Sequence, residues 1–178
     1  MGLFLCQPQS SEIVLGFVAD SSTATGLKWA AASASFKGCS LWQSTDISLA
    51  NDTTIALTWD NENFDTDSFH STSTNTGRIT IPSGLGGYYH INGAISFVGG
   101  GAGFRRVDIF KNGSIWFYGA NIASASASGG TQLIPFSTIG NFVATDYLSI
   151  SVSQASGGTI NTLGGIEFGA FNVTYLGV

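Results

Sequence analysis

Residues 104–118 read Phe-Arg-Arg-Val-Asp-Ile-Phe-Lys-Asn-Gly-Ser-Ile-Trp-Phe-Tyr, and this stretch predicts a β-hairpin. Apolar residues occupy alternate positions before the dipeptide Asn112-Gly113, at Val107 and Ile109, and again after it, at Ile115 and Phe117. Asn-Gly between two alternating runs favours a tight hairpin, because a type I′ turn needs positive φ at both central residues. The stretch therefore indicates antiparallel β structure.

The same period-two alternation recurs along the chain, whereas helical periodicity is almost absent. Residues spaced by two lie on one face of a strand, so each set predicts a strand with a core face. The clearest sets are Ile55, Leu57 and Trp59; Ile79 and Ile81; Tyr89, Ile91, Ile95 and Phe97; Leu148, Ile150 and Val152; and Phe171, Val173 and Tyr175. This spacing predicts an all-β sandwich or jelly roll.

Composition excludes several classes of protein. The chain has 178 residues, a net charge of -5 and 10% charged residues, where soluble domains carry about 25%. Six basic against eleven acidic residues cannot form the positive surface that nucleic acid or an anionic membrane selects. The 43% of hydrophobic residues argue against disorder. Because Gly, Ser, Asn and Thr interrupt every apolar run, no membrane span is predicted.

The first 40 residues differ from the rest and predict an anchoring arm that precedes a domain over 41–178. Ser21–Gly26 has the composition of a loop, and the stretch from Trp29 to Ser35 is rich in small residues without a pairing pattern. The arm cannot bury a core alone, so its larger apolar side chains need another surface. The proposed anchors are Leu15, Phe17, Val18, Leu27 and Trp29. Cys6 and Cys39 are expected to remain thiols.

The stretch 60–67 holds four of the acidic residues and is the best candidate for a metal site. The candidates are Asp60, Glu62, Asp65 and Asp67. Ca²⁺ takes six to eight oxygen ligands of this kind. The spacing does not match an EF-hand loop, because the sixth position is Asp65 instead of Gly. A solvated loop is the preferred interpretation and a structural Ca²⁺ site is the alternative; no other cofactor is expected.

No recognised catalytic constellation appears. His70 follows the acidic stretch and His90 lies on a predicted strand with parity opposite to Tyr89. Spacing alone leaves a Ser-His-Asp arrangement open, but no Gly-x-Ser-x-Gly motif supports one. The prediction is that the protein is not an enzyme.

The order of several short motifs resembles the C1q/TNF-like jelly-roll modules of bacteriophage virion proteins. The resemblance covers residues 41 to 178 and rests on Leu57-Thr58-Trp59-Asp60, Phe64-Asp65-Thr66-Asp67, Gly77-Arg78-Ile79-Thr80-Ile81-Pro82, Gly87-Tyr88-Tyr89, Phe104-Arg105-Arg106 and Lys111-Asn112-Gly113. The segment Val18–Ala30 is similar to one that often precedes carboxy-terminal modules of phage tail and structural proteins.

The resemblance implies a jelly roll of about ten antiparallel strands that assembles as a tight homotrimer without enzymatic activity. A short arm suits a protein that docks on a larger assembly, so the preferred function is a capsid cement or head-fibre protein that binds the major capsid protein or another virion protein. It would assemble in the host cytoplasm and reside in the virion. The alternatives are a tail-fibre tip that binds a host surface receptor and, less favoured, a hydrolase of surface glycans.

Aromatic residues at both strand parities support the trimer independently, because one core face cannot bury them all. Burial of a second flank between copies would explain both these residues and the low charge. The interface candidates are Trp116, Tyr118, Phe168, Phe171 and Tyr175.

Overall fold

The computed structural model describes residues 15–19, 27–31, 35–98, 101–124 and 130–178. The chain divides into two units between Ser35 and Phe36. The sequence predicts this boundary after residue 40, which is five residues further along the chain. A strand begins at Gly38, and its residues Cys39 and Leu41 are fully buried, so this short run contributes to the core of the second unit.

The first unit contains an antiparallel pair of strands, β1 (Leu15–Ala19) and β2 (Leu27–Ala31), with Phe17 opposite Trp29. The tract of small residues that begins at Trp29 therefore starts as a strand. Backbone hydrogen bonds pair the two strands even though the tract shows no alternating side-chain pattern. The five proposed anchors lie on these two strands. Their side chains lie outside what the structure describes, and so does Cys6.

The second unit is an antiparallel sandwich with twelve strands in its described residues. They are β3 (Gly38–Trp42), β4 (Ile47–Leu49), β5 (Thr53–Ala56), β6 (Asn61–Asp65), β7 (Ile79–Thr80), β8 (Gly87–Val98), β9 (Gly103–Lys111), β10 (Ser114–Ser124), β11 (Gln132–Phe142), β12 (Tyr147–Gln154), β13 (Ile160–Thr162) and β14 (Gly169–Gly177). The described residues form no helix, and so none that could cross a membrane. The all-β prediction is confirmed.

Two sheets make up the sandwich. The five-stranded sheet has the order β10-β9-β12-β5, with β7 also paired to β12. The seven-stranded sheet has the order β4-β13-β8-β14-β3-β6, with β11 also paired to β8. Neighbours in each sheet are mostly distant in sequence, so hydrophobic burial between the sheets has to offset the cost of closing long loops.

The Asn-Gly hairpin forms as predicted between β9 and β10. Asn112 and Gly113 have φ values of 51° and 81°, the left-handed backbone that a type I′ turn requires. The alternation beyond the turn breaks at a bulge, where Ile115 pairs with Phe110 and the next pair is Phe117 with Ile109. Ile115 lies opposite Phe110 on the outward face and is exposed, whereas the bulge turns Phe117 to the buried face of Ile109.

Strand β8 lies at the centre of the seven-stranded sheet. It pairs with β11 along one edge and with β14 and then β13 along the other. Its alternating residues Tyr89, Ile91, Ile95 and Phe97 are all at most 3% exposed, as their spacing predicts. These side chains face the five-stranded sheet and form the middle of the core.

Gly93 interrupts the alternation of β8 because a larger residue does not fit. A Cβ atom there would clash with the carbonyl oxygen of Ala170 on one neighbouring strand and with the ring of Phe136 on the other. We expect Gly93→Ala to lower the free energy of unfolding by about 3 kcal/mol through overpacking. Urea unfolding would measure this, with Gly158→Ala as the control because its Cβ meets open space. Equal unfolding midpoints for the two variants would contradict the account.

Asp146 joins the hairpin turn to the start of β12. Its carboxylate accepts bonds from Lys111 Nζ at 2.7 Å, Asn112 Nδ2 at 2.7 Å and the Val143 backbone nitrogen at 3.0 Å. Burial alone raises the pKa of this carboxyl, but the bonds from Lys111, Asn112 and Val143 together lower it below its ordinary value of 3.8.

A carboxyl whose pKa is lowered on folding stabilises the protein above its unfolded pKa and loses that contribution as pH falls through the folded pKa. We therefore expect Asp146→Asn to cost about 2 kcal/mol at pH 7 and to remove part of the loss of stability below pH 4. Unfolding free energies measured from pH 7 to pH 2 test this. The exposed Glu167→Gln serves as control, and an unchanged acid profile for Asp146→Asn would refute the assignment.

Candidate assembly surface

Four adjacent strands of the seven-stranded sheet carry no formal charge. The sequences of β3, β8, β11 and β14 contain no Asp, Glu, Lys or Arg. Pairing places them side by side in the order β3-β14-β8-β11. Burial of this surface against another molecule would therefore require no formal charge of these strands to leave water, which is the largest penalty in forming an interface.

Strand β11 shows most clearly that the outward side of this sheet is partly apolar. Its inward residues Ile134, Phe136 and Phe142 are buried, whereas the outward Leu133 and Ile139 are 53% and 61% exposed. We call the outward side the assembly face, which consists of Tyr88, His90, Asn92 and Ala94 of β8, Ala170, Asn172 and Thr174 of β14, and Leu133, Pro135, Ser137 and Ile139 of β11.

A row of polar side chains crosses the assembly face from strand to strand. The Asn172 amide donates to Asn92 Oδ1 at 3.0 Å, and the Asn92 amide donates to His90 Nδ1 at 3.2 Å. His90 Nε2 lies 2.9 Å from Ser137 Oγ. All these bonds form together when the His90 proton is on Nε2 and Ser137 accepts it. The Asn172 and Asn92 amides, the His90 ring and the Ser137 oxygen thus bond to one another within one protomer, which lowers the number of polar groups that a covering molecule has to satisfy.

A concavity lies at one end of the same face. It has a volume of about 350 Å³ and a floor of small residues, namely Gly93, Ala94, Gly169 and Ala170. Leu133 on β11 and Ile166 on the loop before β14 line its sides, and both are about half exposed. Asn92, Asn172 and the exposed Glu167 also line it, so the concavity offers apolar sides together with two amides and one carboxylate.

The five residues expected at a trimer interface have different environments. Phe171 is fully buried and stacks against Trp59 and Phe136, so its side chain cannot reach a partner. It belongs to the core because Phe171 and the residue two positions later, Val173, lie on the side of β14 that faces the other sheet. Tyr175 is half-buried against Tyr89.

The other three candidates lie at the margin of the core or outside it. Trp116 is half-buried and packs on Phe142, and Phe168 is half-buried before β14. Tyr118 on the edge strand β10 is 66% exposed, with the Arg106 guanidinium 5.8 Å from its ring centre. Among the five, Tyr118 is the side chain most available to a partner. Tyr88, Leu133 and Ile139 lie on the exposed face as well, but their sequence pattern did not predict this.

The acidic stretch forms a strand edge instead of a loop, and its carboxylates point to separate protein partners. Asp60 accepts from Ser44, and Glu62 pairs with His70 Nδ1 at 2.8 Å. In the described part of the chain no three His, Cys, Asp or Glu side chains form a group that could hold a metal ion. Residues 61–65 form β6, and adjacent strand residues point to opposite faces.

The other two acids are engaged as well. Asp65 accepts from the backbone nitrogens of Phe69 at 3.0 Å and His70 at 2.8 Å, which fixes the chain after β6. Asp67 pairs with Lys37 at 2.6 Å. The bonds from Lys37 and Thr66 lower the pKa of the Asp67 carboxyl.

Both described histidines and the described cysteine also have structural environments. His70 has its second ring nitrogen 3.1 Å from the Thr76 carbonyl oxygen, so both nitrogens are engaged. His90 belongs to the polar row of the assembly face. Cys39 is a buried free thiol, and burial raises the pKa of this group well above its ordinary value. Burial in apolar surroundings makes such a thiol unreactive.

The fold is shared with several solved structures. No protein-family model matches the sequence, and no curated protein matches it. The globular domain of zebrafish complement 1qA protein aligns with a TM-score of 0.52 and 11% identity over 79% of this chain and 98% of that one.

Two further similar structures come from other animals. Murine APRIL aligns with a TM-score of 0.57 and 10% identity over 80% of this chain and all of that one. Eiger TNF from S. frugiperda aligns with a TM-score of 0.57 and 14% identity over 80% of this chain and 93% of that one. At these identities the likeness is one of fold. The second unit of this chain therefore has the C1q/TNF-like jelly-roll fold.

Proposed function

We propose that this chain is a non-enzymatic structural protein of a bacteriophage virion, which assembles as a homotrimer through the assembly face and decorates the capsid. The observation that carries the proposal is the charge-free face itself. It is partly apolar, the polar side chains of its row bond to one another within the protomer, and its residues lie on three adjacent strands, β8, β14 and β11. The virion assignment is supported by the order of motifs from Leu57 to Gly113.

Two different charge-free surfaces on one protomer favour a closed ring. Strand β10, at the edge of the five-stranded sheet, contains no charged residue and neighbours β11 across the sandwich edge. A ring forms when one surface of each copy packs on a different surface of the next, and three copies close it. In the proposed trimer the β10–β11 edge of one copy, with Tyr118, packs on the assembly face of the next.

The strand pair β1–β2 is the proposed anchor on the capsid. It forms a unit separate from the jelly roll and carries Phe17 and Trp29 at opposed positions. A two-stranded ribbon alone is marginally stable in water and gains from a surface that covers it. A capsid protein surface would supply the missing cover, and the mature location is the virion.

Replacing Ile139 with Lys tests the assembly face. The side chain is 61% exposed in the protomer, so folding should be unaffected, but three lysines per ring would be buried without partners. We expect the dissociation constant to rise about 100-fold, about 3 kcal/mol. Light scattering should give three times 18.5 kDa for the native chain and one times that mass for the variant.

The control for Ile139→Lys is Thr54→Lys, which adds the same charge at exposed Thr54 on β5, the edge strand opposite β10. This variant should remain trimeric. A monomeric native chain, or an Ile139→Lys variant that stays trimeric, would refute the proposed surface.

Removing residues 1–35 tests the anchor separately. Because the jelly roll begins at Gly38, the shortened chain should keep its trimeric mass but lose binding to particles assembled without the protein. Electron microscopy of particles incubated with each form would show density at regular lattice positions only for the full chain. Lattice binding by the shortened chain would disprove the anchor, and density at the tail tip instead of the head would favour the receptor-binding alternative.

A further inference from the structure

Arg78 lies on the outward face of the five-stranded sheet, on the side of the sandwich away from the assembly face. The next residue, Ile79, pairs with Leu148, and both are fully buried. Alternation therefore turns Arg78 outward together with Tyr147 and Ser149. The Arg78 guanidinium lies 4.8 Å from the centre of the Tyr147 ring, which holds the cation in place from one side.

Arg78 has no carboxylate partner within the residues that the structure describes. Its Nε atom is buried there without a hydrogen-bond partner. The other basic side chains of the jelly roll are engaged: Lys37 with Asp67, Arg106 with Asp108, Lys111 with Asp146, and Arg105 with the carbonyl oxygens of Gly101 and Gly103. A positioned guanidinium with unused donors is the group that proteins use to bind carboxylates.

Two concavities meet at Arg78. One has a volume of about 150 Å³ and is lined mainly by hydroxyl and amide groups, among them Ser71, Thr74 and Asn75. The other has a volume of about 390 Å³ and includes Tyr147 and Ser149. Neither contains an Asp or Glu side chain in its lining. The surroundings thus combine one cation with several neutral polar groups.

The loop that forms the smaller concavity is held in shape by its own bonds. His70 spans it, with Nδ1 2.8 Å from Glu62 and Nε2 3.1 Å from the Thr76 carbonyl oxygen. The Ser71 hydroxyl accepts from the backbone nitrogen of Thr74 at 3.2 Å. A site that is ordered before binding avoids the entropic cost of ordering its loop with the ligand.

We propose that this place is a binding site for an acidic glycan, in which Arg78 binds the carboxylate of a uronic or sialic acid and the surrounding hydroxyl and amide groups bind sugar hydroxyls. A glycan fits better than an acidic peptide, because the smaller concavity is lined mainly by neutral hydrogen-bonding groups and the larger one includes the hydroxyl of Ser149 and the amide of Asn75.

The site goes beyond the proposed assembly function and is compatible with it. It lies on the other sheet from the assembly face, so a trimer would present three copies outward. Several weak sites on one particle raise the apparent affinity for a polymeric ligand through effective concentration. The site would give the particle adhesion to acidic polysaccharide whether the trimer sits on the head or at the tail.

The test is titration calorimetry of the full chain with trigalacturonate and sialyllactose, beside their carboxyl-reduced forms and tetra-aspartate. We expect binding to at least one acidic sugar and at least tenfold weaker binding to its reduced form. Arg78→Gln should weaken binding at least tenfold, and Arg78→Lys less. Lys37→Gln removes one positive charge elsewhere and should change binding by less than twofold.

The readouts separate this proposal from the assembly proposal. Each variant is checked for its thermal unfolding midpoint and for its mass in light scattering, which Arg78→Gln should leave unchanged. Absence of binding to either acidic sugar, equal binding to the reduced sugars or to tetra-aspartate, or equal weakening by Lys37→Gln would overturn the site. None of these results would alter the prediction for Ile139.

Discussion

The pairing of β8 along both of its edges is the constraint on which the rest of the jelly roll depends. Eleven consecutive residue pairs join it to β11 without a register shift, and β14 and β13 occupy its other edge. Because side chains alternate with a period of two, this register places Tyr89 and Ile91 in the core and His90 and Asn92 on the assembly face. A slip by one residue would exchange the two sets. The same register therefore fixes the core and the surface.

This arrangement shows which strands lack charged residues. No charged residue occurs between Arg78 and Arg105 or between Lys111 and Asp146. These two runs include β8 and β11 of the assembly face and the neighbouring edge strand β10, and β14 of the same face is also free of charged residues. The charges of the jelly roll lie mostly elsewhere and form pairs such as Lys37 with Asp67. The scarcity of charge is thus a property of particular strands, and the proposed trimer gives it a reason.

Sequence alone predicted the parts of the fold in which local geometry and burial agree. The Asn112-Gly113 turn needs only the local φ preference, and the inward parity of β8 needs only the separation of apolar and polar residues. The strand β11 was not found, because Pro135 and Gly140 lie within it and its outward residues include Leu133 and Ile139. Apolar residues on both faces erase the alternation from which a half-buried strand is inferred.

The same ambiguity limits how well the sequence predicts which aromatic residues are available to an interface. Aromatic residues at both parities predict a second buried surface, but they do not say which parity faces the core. Phe171 proved to be the core member because β14 pairs with β8 and β3 in a register that turns it inward. The acidic stretch was misplaced for a related reason, since pairing with β3 extended it into β6. Pairing partners distant in sequence decide both cases.

A sandwich allows two binding functions without a conflict between them. The core keeps the outward faces of the two sheets apart, so a side chain on one face does not compete for burial with one on the other. The assembly face carries no formal charge on its strands and a row of polar groups bonded to one another, whereas the five-stranded sheet carries Arg78, whose Nε has no hydrogen-bond partner among the described residues. A permanent interface over the five-stranded sheet would bury the Arg78 guanidinium without a partner, which costs free energy of association. The distribution of paired and unpaired polar groups is therefore what the two proposals share: assembly of copies through the seven-stranded sheet and ligand binding at the five-stranded one.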